Sequence, residues 1–201
     1  LNTTGGNASV GGSLTLGGAV NGTTANTQSL TLNTGSTGAV SVTGSVGQTT
    51  ALNTLTLANS YGATFAAPVS TGTELVLTDT VAGRIIRFAD NLSTPVLTTT
   101  AHGYHLELLG TTTSITGTSA ATTFSHTGNL VLGNGAGDTL TFAGGLTATA
   151  PAAVQAAGTV NTTNTAMSLG DSNTALTLTD HLALNTTGGN ASVGGSLTLG
   201  G

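Results

Sequence analysis

The chain is 201 residues long, enough for one or two domains with a real core, and carries a formal charge of −5. Only 4% of its residues are charged, against roughly 25% in an average globular domain. With two Arg and no Lys it lacks the clustered cations that bind nucleic acid, without Cys it forms no disulfide or thiolate metal site, and no run reaches the roughly 18 unbroken apolar residues of a spanning helix.

The first eighteen residues, LNTTGGNASVGGSLTLGG, return unchanged at 184–201. The offset, 184 − 1 = 183 residues, reads as the period of a tandem array, with 1–183 as one unit and 184–201 as the first segment of the next. Chance identity over that length is negligible, so duplication or deliberate design produced it. Leu1 stands inside the repeat rather than in a basic, then apolar, leader, so the gene product is expected to start elsewhere.

Within the unit a short box recurs: SLTL at 13–16 and 29–32, TLTL at 54–57, ELVL at 74–77, HLEL at 105–108 and NLVL at 129–132. TLTF at 139–142, AMSL at 166–169, ALTL at 175–178 and SLTL at 196–199 continue it. Each alternates with period two, which puts both apolar side chains on one face of a strand. Gly, Asn, Asp or Ser follows, supplying turn chemistry. Many box-to-box steps are 20 to 25 residues and others near 10; a step of about 20 reads as one circuit of a solenoid, and one of about 10 as two strands on different faces of one circuit. No helical stripe interrupts this rhythm; TATAPAAVQAAG (147–158) comes nearest, and its Pro and Gly weaken it. The expected fold is all-β, a parallel β-helix of roughly eight to ten coils per unit, with Leu boxes inward and stacked at about 4.8 Å. The rival, an antiparallel sandwich, would put Leu55, Leu75 and Leu130 on hairpin-paired strands.

The composition suits such a stack. Like charges one above another at about 4.8 Å repel by roughly 0.9 kcal/mol even in bulk water, and more near a protein surface. Thr, Ser and Asn can instead hydrogen-bond up a column, and Thr fits a strand backbone. Strings such as SLTLNTGSTGAVSVTGSVGQTTALNTLTLANSYGATFAAPVSTGTELVLTDT (29–80) resemble the repeats of filamentous-haemagglutinin-type adhesins and giant bacterial β-strand-repeat surface proteins. The resemblance covers nearly the whole chain; 81–109, with both Arg, Tyr104 and the Ile85–Ile86 pair, departs from it. It implies a secreted, right-handed parallel β-helix serving in adhesion or as a surface fibre.

Four groups of residues could carry chemistry. GNGAGDTLT (133–141) is similar to the calcium nonapeptide G-G-x-G-x-D-x-U-x at Gly133, Asp138 and Leu140, but Asn134 and Ala136 stand where Gly is wanted, so a plain Gly-rich turn is preferred. HGYH (102–105) spaces His102 and His105 onto opposite faces of a strand, which predicts surface or loop histidines rather than a chelate. Glu74, Asp79, Arg84, Arg87 and Asp90 form the one charge cluster, read as local ion pairs on an irregular loop rather than a glycosidase groove. Asn-x-Ser/Thr sequons at Asn2, Asn7, Asn21, Asn91 and Asn161 arise easily in a chain of this composition.

No catalytic, metal or cofactor site is therefore assigned, and no enzymatic activity is expected. The leading expectation is a structural unit of an extracellular or cell-surface fibre or adhesin stalk, whose partners are identical units end to end. A surface-binding module using Thr rows on glycan or ice, and a carbohydrate-active β-helix, are the alternatives. Neither nucleic-acid binding nor membrane insertion is expected.

Overall fold

A computed structural model of the chain describes residues 1–7, 9–189 and 192–200. Every regular element in it is a β-strand, and every pairing between strands is parallel. The strands wind round three faces. The first face carries β1 (Leu14–Leu16), β3 (Val40–Val42), β5 (Ala63–Phe65), β7 (Ile85–Phe88), β10 (His105–Leu108), β13 (Leu130–Leu132), and the leading halves of β16 (Ala153–Thr162) and β18 (Ala175–Asn185). The second runs from bridges at Val20 and Val46 through the start of β6 (Val69–Leu77), then β8 (Leu92–Thr94), β11 (Thr112–Ile115), β14 (Thr139–Phe142) and the trailing halves of β16 and β18. The third stacks β2 (Leu30–Asn33), β4 (Leu52–Asn59), the end of β6 and β9 (Val96–Thr99), then β12 (Thr122–Thr123), β15 (Leu146–Ala148), β17 (Met167–Leu169) and β19 (Leu197–Leu199).

This is the β-solenoid expected from the boxes, with Leu30, Leu55, Leu75 and Leu97 stacked in parallel register. The 183-residue unit makes between seven and eight turns, fewer than the eight to ten expected. Corners are the reason: Ile86 to Leu106 is 106 − 86 = 20 residues, but Leu14 to Val40 is 40 − 14 = 26 and Leu106 to Leu130 is 130 − 106 = 24, so most turns consume more chain than a circuit of about 20. TATAPAAVQAAG supplies the end of β15 and the start of β16 around a corner at 149–152, with Val154 and Ala156 buried and Gln155 exposed between them. The aberrant 81–109 segment also stays in the stack, with Ile86, Phe88, Leu106 and Leu108 all inward.

Period-two alternation packs one apolar column per inward position. On the second face Val20, Val46, Val69, Leu92, Thr113, Leu140, Val160 and Leu184 stand one above another. On the first face the rings of Phe65 and Phe88 stack 4.7 Å apart beside the smaller Ala63. Buried Leu and Phe side chains each contribute roughly 1.5–3 kcal/mol. Gly158, at φ +83°, turns the chain between the two halves of β16; a Cβ there would lie 2.3 Å from the Asp138 carbonyl oxygen.

The third-face ladder breaks between β9 and β12. There the buried Thr99 hydroxyl bridges the gap, accepting the Ser125 N–H at 2.8 Å and donating to the Thr123 carbonyl at 3.3 Å. Tyr104, fully buried, donates its hydroxyl to the Leu77 carbonyl at 3.1 Å, and burial pushes its pKa up to about 12. Its ring stacks on that of His126 at 5.2 Å, and Phe124 meets His126 edge-on at 6.0 Å. His126 is fully buried with neither ring nitrogen hydrogen-bonded. Burial lowers its pKa to about 4, the Asn129 backbone pulling weakly upward and His105 weakly downward.

Two predictions follow from this core. Thr113 buries a hydroxyl with no partner in an otherwise apolar column, so the isosteric Thr113→Val should stabilise the chain by about 1 kcal/mol. Leu75→Ala should cost about 3 kcal/mol through its cavity; denaturant titration reads both, and a destabilised Thr113→Val would contradict the assigned packing.

Between pH 6.5 and 4 the unfolded chain binds the His126 proton and the folded chain does not. Its contribution is therefore full above about 6.5 and lost as pH falls toward about 4, by roughly 3 kcal/mol at most. His126→Phe keeps the aromatic stack and should flatten this part of the melting temperature against pH profile; an unchanged slope would show that His126 is not the acid-sensitive group.

Candidate functional site

Each group singled out in the sequence has a definite place. In the 133–141 run Asp138 is buried and its carboxylate accepts the N–H groups of Asn134 at 2.8 Å and Gly135 at 3.0 Å. It thereby caps its own turn, and among the described residues no group of three or more His, Cys, Asp or Glu could hold a metal ion. His102 and His105 part company: His102 Nδ1 lies 3.2 Å from Asp79 at a corner, and His105 Nδ1 accepts the Asn129 N–H at 2.7 Å. The Tyr between them, Tyr104, goes into the core.

The charge cluster is dispersed: Glu74 and Arg87 stand on strands, whereas Asp79, Arg84 and Asp90 lie at corners between strands rather than on one loop. Arg87 points outward from β7, and the register sets it beside Glu107 of β10, one turn on, at 2.5 Å. Hydrogen bonding to Glu107, then its charge, raises the Arg87 pKa further above its usual value. With Arg87 43% exposed the pair is worth less than about 1 kcal/mol. Arg84 lies 3.9 Å above the ring of Tyr61, and Glu74 stands on the third face, accepting the Thr98 hydroxyl at 2.5 Å. Glu74 and Glu107 thus occupy different faces. Sequence reasoning missed Glu107 because its partner is twenty residues away (107 − 87 = 20), reached only by stacking.

Four of the sequon asparagines use their amide oxygens structurally. Asn2 Oδ1 accepts the Thr4 N–H, Asn7 Oδ1 that of Ser9, Asn21 Oδ1 that of Thr49, and Asn91 Oδ1 that of Thr112. Asn161 stands on the second face, and the Asn7 sequon includes Ala8, which lies outside the described residues.

Uncharged polar columns cover much of the solenoid surface. Ser70, Ser93, Ser114, Thr141, Asn161 and Asn185 stand in one register column on the second face. Beside it, Thr112, Thr139 and Thr159 form a second rank over three turns. The third face shows Thr31, Thr56, Val76 and Thr98, then Thr123, Thr147, Ser168 and Thr198, one outward residue per turn.

The two identical segments share a conformation, as far as the described residues go; Ala8, Asn190, Ala191 and Gly201 lie outside them. In the first copy Asn2 Oδ1 accepts the Thr4 N–H at 2.8 Å, and the Thr3 hydroxyl donates to the Gly12 carbonyl at 2.6 Å. In the second, Asn185 Oδ1 accepts the Thr187 N–H at 2.9 Å, and the Thr186 hydroxyl donates to the Gly195 carbonyl at 2.8 Å. Gly5 and Gly6 have φ of +59° and +91°, and Gly188 and Gly189 +58° and +84°. Their places on the coil differ, against the expectation of one common place. Asn2 is on the third face and Leu14 on the first, whereas Asn185 is on the second and Leu197 on the third.

The terminal layers leave apolar edges open: Leu178 is 62% exposed, Leu199 53% and Leu1 56%. No protein family, curated protein or solved structure matches this chain.

Proposed function

We propose that the chain is a structural unit of an extracellular or cell-surface filament, such as an adhesin stalk, in which identical units follow one another into a continuous rod. The observation that carries this reading is the second 18-residue copy. It adopts the hydrogen-bonded corner of the first, so residues 184–201 restart the sequence as a further part of the solenoid. The resemblance of the repeats to filamentous-haemagglutinin-type adhesins points the same way. Open strand edges at the last layer favour addition of another solenoid layer, because each unpaired ladder seeks N–H and C=O partners.

The 201-residue chain should accordingly elongate with concentration, which sedimentation velocity and light scattering would follow. Leu197 is 46% exposed on the terminal strand, so Leu197→Asp should leave the fold intact while reducing elongation by an order of magnitude or more. A wild-type chain that stays monomeric at high concentration contradicts end-to-end association.

A second reading, attachment to a hydroxylated surface such as a glycan, is favoured by the paired ranks Thr112–Ser114, Thr139–Thr141 and Thr159–Asn161 on one flat face. It expects retention on an insoluble polysaccharide, lost in the Thr139→Lys/Thr141→Lys double variant. Equal passage of both chains through the column counts against it.

A further inference from the structure

The two copies lie on different faces although they fold alike. We infer that successive units of the array are set one face round the rod from each other, the 183-residue repeat advancing seven and two-thirds turns rather than a whole number. This rests on the reading of 184–201 as the start of a following unit.

The path fixes the count. From Leu14 of β1, seven circuits along the first face reach the leading half of β18, through β3, β5, β7, β10, β13 and β16. Two further faces then bring the chain to Leu197 of β19, the equivalent residue, on the third face. Asn2 to Asn185 gives the same count, from the third face to the second. At roughly 4.8 Å per turn the unit advances roughly 37 Å.

Such a rotation requires that the corners be interchangeable, and the chain contains the test. One sequence makes the corner between the third and first faces in its first copy, and the corner between the second and third faces in its second. The Asn amide clasp, the Thr hydroxyl bond and the paired left-handed glycines are the same in both. The triangular section therefore accepts a unit in a rotated setting.

The following copy's contacts are then specified by those the first copy already makes. Here Asn33 lies on Asn2, Val40 on Leu14, Ser41 on Thr15 and Val42 on Leu16. At the junction the following copy's Asn33 lies on Asn185, and its Leu32 and Leu30, one and three residues before Asn33, fall above Leu184 and Leu182, one and three before Asn185. Its Val40 and Val42 cover Leu197 and Leu199. Leu182 and Leu184 are half-buried and Leu197 and Leu199 exposed, so apolar residues meet apolar edges at each point.

The consequence is a rod that presents every surface feature in three directions. The Arg87–Glu107 patch of the first face appears on the third face in the next unit, on the second in the one after, and returns after 3 × 183 = 549 residues. A rod lying against a cell or matrix would then always turn one copy of each feature outward.

The test uses a two-copy chain, residues 1–201 continued by residues 19–201, with Cys pairs joined by a short bis-maleimide, each thiol adding across one maleimide double bond, and read as linked peptides by mass spectrometry. The native sequence has no Cys to interfere. Thr15→Cys with Ser41→Cys in the first copy is the benchmark of neighbouring turns. Thr198→Cys with Ser41→Cys of the following copy reports continuity, and should link as fully as the benchmark. Phase is read by Ser168→Cys with Thr198→Cys, which should link fully, and by Thr177→Cys with Thr198→Cys, which should not. A continuous rod that links 177 to 198 and not 168 to 198 has a whole-number repeat and overturns the rotation alone. Loss of the junction link to Ser41 overturns the array reading and the rotation with it.

Discussion

Everything in this molecule depends on parallel strands stacking in register, which places each side chain directly over its counterpart one turn away. At a spacing of about 4.8 Å the vertical neighbour is the strongest interaction most residues have. It rewards like upon like for Leu, Thr and Phe and penalises like upon like for charge. The seven carboxylates obey this rule. Glu107 sits between Arg87 and Val131, and Glu74 between Thr54 and Val96, so neither meets a second anion in its column. Asp138, Asp171 and Asp180 are folded onto backbone N–H groups at corners.

The corners supply the freedom that the faces lack. Faces must keep period and register, whereas corners range from the short break at Ala156/Gly158 to the Gly-rich run closed by Asp138. Threonine closes several of them. The Thr34 hydroxyl donates to the Gly38 carbonyl at 2.6 Å and that of Thr162 to the Thr165 carbonyl at 2.6 Å, while positive-φ Gly35 and Asn164 turn the chain. The repeated segment uses the same device at larger span. That common construction makes one corner substitutable for another, and a solenoid with substitutable corners need not repeat after a whole number of turns.

The same geometry bears on function. The acids and bases are spent on neighbours or backbone, and the faces expose ranks of short uncharged side chains. The open chemistry of the described residues is concentrated where a layer lacks its neighbour, at the apolar edges of β18, β19 and the first layer.

Much of this was legible in the residues. Alternation at 54–57, 74–77 and 129–132 is a local property of strands, so all-β character, inward Leu boxes and scarce charge followed directly. The identity of the two ends was visible by inspection. Turn count, the strand at 153–162, the Arg87–Glu107 pair, the burial of His126 against Tyr104 and the face on which each copy lies were not. Each depends on which residue of one turn stands above which of the last. Corner lengths and the volume of the core settle that, and neither can be counted from a strand's own pattern. Sequence by itself determined what could stack; only the tertiary structure decided what stacked on what, because register is a relation between turns and not a property of any one of them.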